Sequence, residues 1–240
     1  MQAIENKDVA EYYDKFWKDL DAKNKGGINS RHRYILYHLK KAGLKKNSSV
    51  LEIGCGLGML TSFIGKSLSS GKIKGVDISP ESIQYATKKY GKHNITFEVN
   101  NMSDFKSGEK FDFIVFPDVL EHIPVEAHNN IFATIRKLVN PDSVVLINIP
   151  NPMALEYMHI HYKDELQIID QPLHTYTFMK AIYDNGFYLE SLKTYPIFFI
   201  QPDYQSMIVK HYEAFSIMKQ KSNAAVILKN IWLRFLNFIN

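Results

Sequence analysis

Asp118, Glu121 and His122 stand in the spacing Asp-x-x-Glu-His. That puts three ionisable groups within about one turn of backbone, enough to take, hold or pass a proton. His122 is the natural base, because imidazole titrates near neutrality. Far earlier in the chain lies a glycine-rich stretch, Glu52-Ile-Gly-Cys-Gly-Leu-Gly58. Glycines at 54, 56 and 58 let backbone N–H groups come close to a ligand. The dinucleotide fingerprint would need a glycine at 59, and Met59 breaks that spacing. Glu52, just before the first glycine, suits a ligand with a cationic amino group. Asp77 can accept from both hydroxyls of a ribose, since a carboxylate offers two acceptor oxygens. Cys55, inside the loop, has no evident base beside it and reads as a small packing residue.

These residues need elements to position them. Val50–Ile53 is a short apolar run ending in glycine and reads as a buried strand, followed by helical spacing over Met59–Leu68. Ile73–Ile78 is a second strand. Ser79-Pro80-Glu81 starts a helix that Gly91 stops. Strands follow at Ile95–Val99 and Phe111–Phe116, then a helix over Glu126–Val139 and a strand at Val144–Ile149. A helix over Phe178–Asn185 ends at Gly186. Tyr188–Thr194 and Ile197–Ile200 are expected to pair as a final antiparallel hairpin, and the chain from about Tyr204 is expected to be helical. Strand–helix alternation of this kind predicts an α/β parallel sheet.

The chain has 240 residues, 45% of them hydrophobic, which suits one globular domain. The plan is a helical cap over residues 1–45, a core over 46–200 and a tail over 201–240. The cap carries Tyr12, Tyr13, Phe16 and Trp17 on an amphipathic helix. Tyr13 and Trp17 either close over the ligand or pack on the core. The net charge of +4 is spread along the chain, without the dense basic patch of a dedicated nucleic-acid binder. A small-molecule partner is therefore expected, and a large nucleic acid is not. One cysteine excludes an internal disulfide. There is no signal-peptide core and no charge-free run long enough to span a bilayer, so a cytoplasmic location is expected.

Taken together, the motifs resemble the class I S-adenosylmethionine-dependent methyltransferases, over roughly residues 31–190. Val50-Leu-Glu-Ile-Gly-Cys-Gly-Leu-Gly58 matches the family's first motif and Gly75-Val-Asp-Ile-Ser79 its second. Phe97-Glu-Val-Asn-Asn-Met102 sits where the family contacts adenine, and Phe111-Asp-Phe-Ile-Val-Phe-Pro-Asp-Val-Leu-Glu-His-Ile123 matches the fourth-strand motif. The resemblance implies a Rossmann-like, seven-stranded, mostly parallel sheet with an antiparallel last strand and helices on both faces. It implies S-adenosylmethionine as cofactor, contacted by Glu52, Gly54, Cys55, Gly56, Gly58, Asp77, Ile78, Asn101, Met102 and Pro117. Asn101 stands where the family usually carries Asp, and its amide carbonyl can still accept from the exocyclic amine. Arg31 matches the position at which ubiquinone-biosynthesis enzymes hold the cofactor carboxylate. Arg33 could serve instead, or both could be surface charges.

The acceptor side stays open at this level. His122, with Glu121 and His174 beside it, is the candidate catalytic set for methylating an oxygen of a small molecule, such as a sugar or phosphate-bearing metabolite. The spacing also resembles the divalent-metal triad of ubiquinone-biosynthesis and RNA-terminal 2′-O-methyltransferases. On that reading Asp118, Glu121, His122 and His174 would hold an ion such as Mg2+. An N-methyltransferase, a metal-dependent enzyme acting on a catechol or RNA terminus, and a non-catalytic cofactor-binding protein are the alternatives. Residues 153–176 have weak periodicity and read as a lid, with His159 and His161 on its surface and Tyr162 and Tyr176 available to line an acceptor pocket. The tail, Ala224–Ile239, is apolar apart from Lys229 and Arg234 and a few polar residues. It is expected to pack on its own domain, with a homodimer contact or a membrane interface as the other options.

Overall fold

A computed structural model of the protein describes residues 27–102, 105, 107–167, 169–212 and 220–239. The helix read around Tyr13 and Trp17 lies outside them. Within them the order is α1 (Ser30–Lys41), β1 (Ser49–Ile53), α2 (Met59–Gly65), β2 (Lys72–Asp77), α3 (Pro80–Tyr90), β3 (Ile95–Val99) and β4 (Phe111–Pro117). A one-turn 3-10 helix (Leu120–His122), α4 (Val125–Leu138), β5 (Val139–Pro150) and α5 (Pro152–His161) follow. A second 3-10 turn (Lys163–Glu165), α6 (Thr175–Asp184), β6 (Phe187–Tyr195), β7 (Tyr204–His211) and α7 (Asn223–Ile239) complete the chain.

The seven strands form one sheet in the order β3-β2-β1-β4-β5-β7-β6. β1 to β5 pair in parallel, and β7 runs antiparallel to both its neighbours. The chain lays β1, β2 and β3 outward in one direction, then returns to place β4 on the other side of β1. That reversal opens a crevice at the carboxyl ends of β1 and β4, where open α/β sheets bind ligands. Apolar faces cover the sheet on both sides. Ile35, Leu39, Leu60 and Ile64 of α1 and α2 fill one core. Ile131, Phe132, Ile135, Phe178 and Ile182 of α4 and α6 fill the other.

Local chemistry sets the ends of the elements. Ser79 caps α3 by accepting from the Ser82 N–H at 3.0 Å, with Pro80 in the first turn. Asn29 forms a capping box with His32 at the start of α1. This fixes the first turn of α1, and with it Arg31.

The structure departs from the sequence expectation at the C-terminal end. The second strand of the hairpin is Tyr204–His211, not Ile197–Ile200, so the stretch after residue 201 begins as a strand and not as a helix. The apolar run Ile197-Phe-Phe-Ile200 looks like a strand. Asp203 instead bends it into a loop, its carboxylate accepting from the Ile197 N–H at 2.6 Å and the Phe198 N–H at 2.8 Å. β7 escaped notice because it is covered on both faces and carries buried Gln205, Ser206 and His211, which erase any alternation. The tail also differs: every residue of α7 from Asn223 to Phe235 is exposed, where packing on the domain would bury one face.

Candidate active site

The loop after β1 crosses the end of β2, where the N–H groups of Gly54 and Cys55 both donate to the Val76 carbonyl, at 2.8 and 3.0 Å. All three loop glycines have left-handed backbone, with φ of 70° at Gly54, 48° at Gly56 and 76° at Gly58. A Cβ at Gly54 would lie 2.4 Å from Val119 Cγ2, and one at Gly58 would lie 2.7 Å from the Phe97 ring. These two glycines are therefore required by the protein's own packing as well as by a ligand's approach. Cys55 turns its side chain inward against Gly75, and burial pushes its thiol up. It is a packing residue.

Asp77 organises this edge. One of its oxygens accepts from the Gly56 N–H at 2.7 Å and the other from the Ser79 N–H at 2.9 Å. An ionised carboxylate has about four acceptor sites, so tying the two loops together does not exhaust its capacity for ribose hydroxyls. Glu52, 1% exposed, has an Oε2 with no hydrogen-bond partner among the described residues. Burial, reinforced by the charge of Asp77, pushes its carboxyl up to about 8. A buried acceptor left unmatched is costly, and a cationic amino group would match it. Ile78 is half-buried after β2, and Asn101 is exposed after β3. Met102 has φ 62° and donates its N–H to Asn100 Oδ1 at 2.8 Å, with its side chain in the core.

Across the crevice, Pro117 ends β4 and Asp118 turns into left-handed backbone at φ 54°. Asp tolerates that region better than most residues. Its N–H still donates to Asn148 of β5 at 2.8 Å. Its carboxylate pairs with the Arg31 guanidinium from α1. Arg31 also donates to the Tyr204 hydroxyl at 3.3 Å, and its Nε, buried, has no partner among the described residues. Burial disfavours the Arg31 charge, but Asp118 and Tyr204 outweigh it and hold the guanidinium charged. Burial likewise pushes Asp118 up, against the pull of Arg31. Arg31 rather than Arg33 therefore reaches the site. The orphan Glu52 oxygen, the orphan Arg31 nitrogen and the glycine cradle together fit an amino-acid-bearing nucleoside such as S-adenosylmethionine.

Glu121 and His122 sit in the 3-10 turn just beyond. The His122 ring is clamped by the segment before α6: its Nδ1 lies 2.6 Å from the Ile169 carbonyl and 3.1 Å from Asp170 Oδ1. A carbonyl can only accept, so Nδ1 carries a proton in either charge state, and Nε2 is the position that titrates. Nε2 faces Glu121 Oε1 at 3.9 Å. Neither carboxylate oxygen of Glu121 accepts a hydrogen bond among the described residues. Burial lowers His122, but Glu121, Asp170 and the Ile169 carbonyl outweigh it and push it up to about 9. Burial pushes Glu121 up to about 8, opposed by His122. Gln171 closes the clamp, its N–H donating to the Glu121 carbonyl at 3.0 Å and its side chain to the Ile123 carbonyl at 2.8 Å.

His174 does not join this group. Its Nε2 lies 2.9 Å from Glu156 Oε1 of α5, and its ring stacks on Tyr176. Asp118 is committed to Arg31. Among the described residues no three His, Cys, Asp or Glu side chains come together as a metal site. The set Asp118, Glu121, His122 and His174 therefore does not fit a divalent ion, because sequence spacing does not bring it to one point. In this arrangement His174 pairs with Glu156 and not with His122.

Asp170, Tyr204 and Asn148 escaped the sequence reading. Asp170 lies in the weakly patterned stretch, and Tyr204 falls where the sequence predicts the tail. Asn148 did leave a signal, a polar residue inside the apolar run Val144–Ile149. It is fully buried, and its Oδ1 accepts from the Tyr195 hydroxyl. Further along the chain Tyr157 and Tyr162 both face Phe199, with centroids 6.4 and 6.2 Å apart. Tyr176 is 81% exposed.

A glycine turn at the switch point and an acid closing the second strand fit a nucleoside-cofactor transferase of the doubly wound class. More specifically, the family profile described as a methyltransferase domain matches residues 27–192, and the chain belongs to that family. It is 22% identical over 163 residues to the malonyl-[acyl-carrier protein] O-methyltransferase of Acetivibrio thermocellus, covering 67% of this chain and 55% of that protein. It is 27% identical over 154 residues to a ubiquinone biosynthesis O-methyltransferase of Actinobacillus pleuropneumoniae, covering 61% of this chain and 64% of that one. The matches thus span less than two thirds of these curated relatives. Among solved structures, magnesium protoporphyrin IX methyltransferase from Synechocystis PCC 6803 with bound SAH shares the fold. Its TM-score is 0.68 at 18% identity, covering 86% of this chain and 100% of that one. A SAM-dependent methyltransferase from Anabaena variabilis also shares it, at TM-score 0.67 and 15% identity, covering 87% and 96%.

Proposed function

We propose that this domain transfers the methyl group of S-adenosylmethionine to an oxygen of a small-molecule acceptor, and that His122 Nε2 takes the acceptor's proton. The observation that carries this reading is the clamp on His122. Ile169 and Asp170 hold Nδ1, which leaves Nε2 as the one titrating position, beside Glu121 at the crevice. The O-methyltransferases among the relatives support oxygen as the target atom. When bound, the cofactor supplies an electrophilic methyl group on a sulfonium sulfur. Glu52 and Arg31 would hold its amino-acid end, and Asp77 its ribose. In that transfer the acceptor hydroxyl would give its proton to His122 Nε2, and the imidazolium so formed would carry the positive charge. Glu121 and Asp170 stabilise that charge.

We take the acceptor to be a hydroxyl of a sugar or another polyhydroxy or phosphate-bearing metabolite, to which Tyr157, Tyr162 and Phe199 would offer flat apolar faces. Screening such metabolites for S-adenosylhomocysteine release tests this class. The base is tested by the pH profile. Because His122 is held protonated up to about 9, kcat/KM should climb with pH toward that value. Asp170→Asn, which removes one carboxylate from the ring, should move the climb to lower pH. A profile that is flat in both proteins would reject His122 as the base.

A further inference from the structure

No described side chain of α7 is among the site residues above. Its large apolar side chains face solvent: Ile227 58%, Leu228 67%, Ile231 58%, Trp232 57% and Phe235 64% exposed. Ile227, Ile231 and Phe235 recur every four residues, and Leu228 and Trp232 form the adjoining row. The rest of the circumference carries Lys229, Asn230, Asn223 and Arg234, with Val226 and Leu233 among them. The two cations border the apolar rows, Arg234 along the Ile227 edge and Lys229 along the Trp232 edge. Long basic side chains in such places keep their stems on apolar surface and their charge in water. From residue 214 to 240 the bases are Lys219, Lys221, Lys229 and Arg234, and there is no Asp or Glu. No described helix is long and apolar enough to cross a membrane.

We propose that α7 lies flat in the interface of an anionic lipid bilayer and seats the methyltransferase domain on that surface. Aromatic and aliphatic side chains on one face with basic residues at its borders are what an interfacial helix needs. The charge pattern favours lipid over a second copy of the chain. A second α7 would bring the same bases and no acid, whereas anionic headgroups supply the missing counter-charge. The proposal does not rest on the reaction assigned above.

The test uses the full chain with Trp17→Phe, so that Trp232 is the sole tryptophan, and vesicles of phosphatidylcholine with or without phosphatidylglycerol. Co-sedimentation with the anionic vesicles is expected, with a blue shift of Trp232 emission. Partitioning should fall about tenfold on pure phosphatidylcholine, and as much for Lys229→Glu with Arg234→Glu on anionic vesicles. Ile231→Glu with Trp232→Glu should abolish co-sedimentation while melting temperature and S-adenosylhomocysteine binding stay unchanged. No vesicle binding would overturn the proposal. So would binding that survives the double apolar-to-glutamate change, equal binding to both lipid mixtures, or a solution dimer that this change dissociates in a protein that ignores vesicles.

Discussion

The two walls of the switch-point crevice are built differently. On the β1–β3 side the groups that fit the cofactor come mainly from strand ends and the turns after them. Backbone geometry places them: left-handed glycines, and a carboxylate that ties the Gly56 and Ser79 N–H groups together. On the β4–β7 side the groups come from distant parts of the chain. His122 meets Ile169, 47 residues away, and Arg31 meets Tyr204, 173 residues away. The first wall is a local structure that a family can share unchanged. The second is a tertiary assembly and, apart from Arg31, is free to vary with the acceptor.

The difference makes a sharp separation of effects. The largest loss should come from the second wall and fall on chemistry alone. His122→Ala should lower kcat by about 10²- to 10⁴-fold, the usual range for a general base, with the Kd for S-adenosylhomocysteine unchanged in calorimetry. A comparable loss of cofactor affinity would mean the walls are not separable. Next comes the first wall. Asp77→Ala should weaken S-adenosylhomocysteine by about 1.5–3 kcal/mol, the range for hydrogen bonds to a charged group. It should also lower the melting temperature, because the Gly56 and Ser79 N–H groups lose their shared acceptor. If affinity fell and stability did not, the carboxylate would be a ligand contact only.

The same contrast explains what was legible in the sequence. The loop Glu52–Gly58 and Asp77 could be read because their roles follow from neighbours in the chain and from strand ends that hydrophobic periodicity marks well. Arg31 could be read by its position, but the reason it reaches the site, Asp118 in left-handed backbone, could not. Glu121 and His122 were visible as a spacing. Their meaning depends on Asp170, which lies in a stretch with no periodicity and is placed by tertiary contacts. His174 shows the limit from the other side. It has a plausible residue type and spacing, yet the fold gives it to Glu156. β7 was missed because a strand covered on both faces, with Gln205, Ser206 and His211 inside, has no period to detect.

A smaller effect should appear in stability against pH, with Glu52 contributing from the first wall and Glu121 and His122 from the second. Glu121 and His122 both bind a proton more tightly in the folded protein than in the unfolded chain. Stability therefore falls as pH rises, because the folded state holds protons that the unfolded state has already released. For His122 the stabilisation is complete below its ordinary value of 6.5 and is lost as pH climbs through about 9. For Glu121 the decline begins above 4.5 and is complete near 8. The melting temperature should drop by some degrees between pH 6 and 9, about 2–4 °C for each kcal/mol. Glu121→Gln should flatten that slope, since it removes one titrating group and lets His122 fall back. A slope that the substitution leaves unchanged would place the titration elsewhere in the molecule.

The smallest expected effect is none, and it bears on the oldest ambiguity in the Asp-x-x-Glu-His spacing. A divalent ion at this wall would need at least three ligands converging on one point. Asp118 is turned toward Arg31, His122 Nδ1 is held by Ile169 and Asp170, and His174 is paired with Glu156. Recruiting these groups to a metal would require Asp118 to leave a buried guanidinium, which is costly once its partner is left uncompensated, and His174 to leave α5. Turnover should therefore be the same after dialysis against EDTA as before, and added Mg2+ should not raise it. Loss of activity in EDTA, restored by Mg2+, would show that acceptor binding rebuilds this wall, and the catalytic role of His122 would pass from base to ligand.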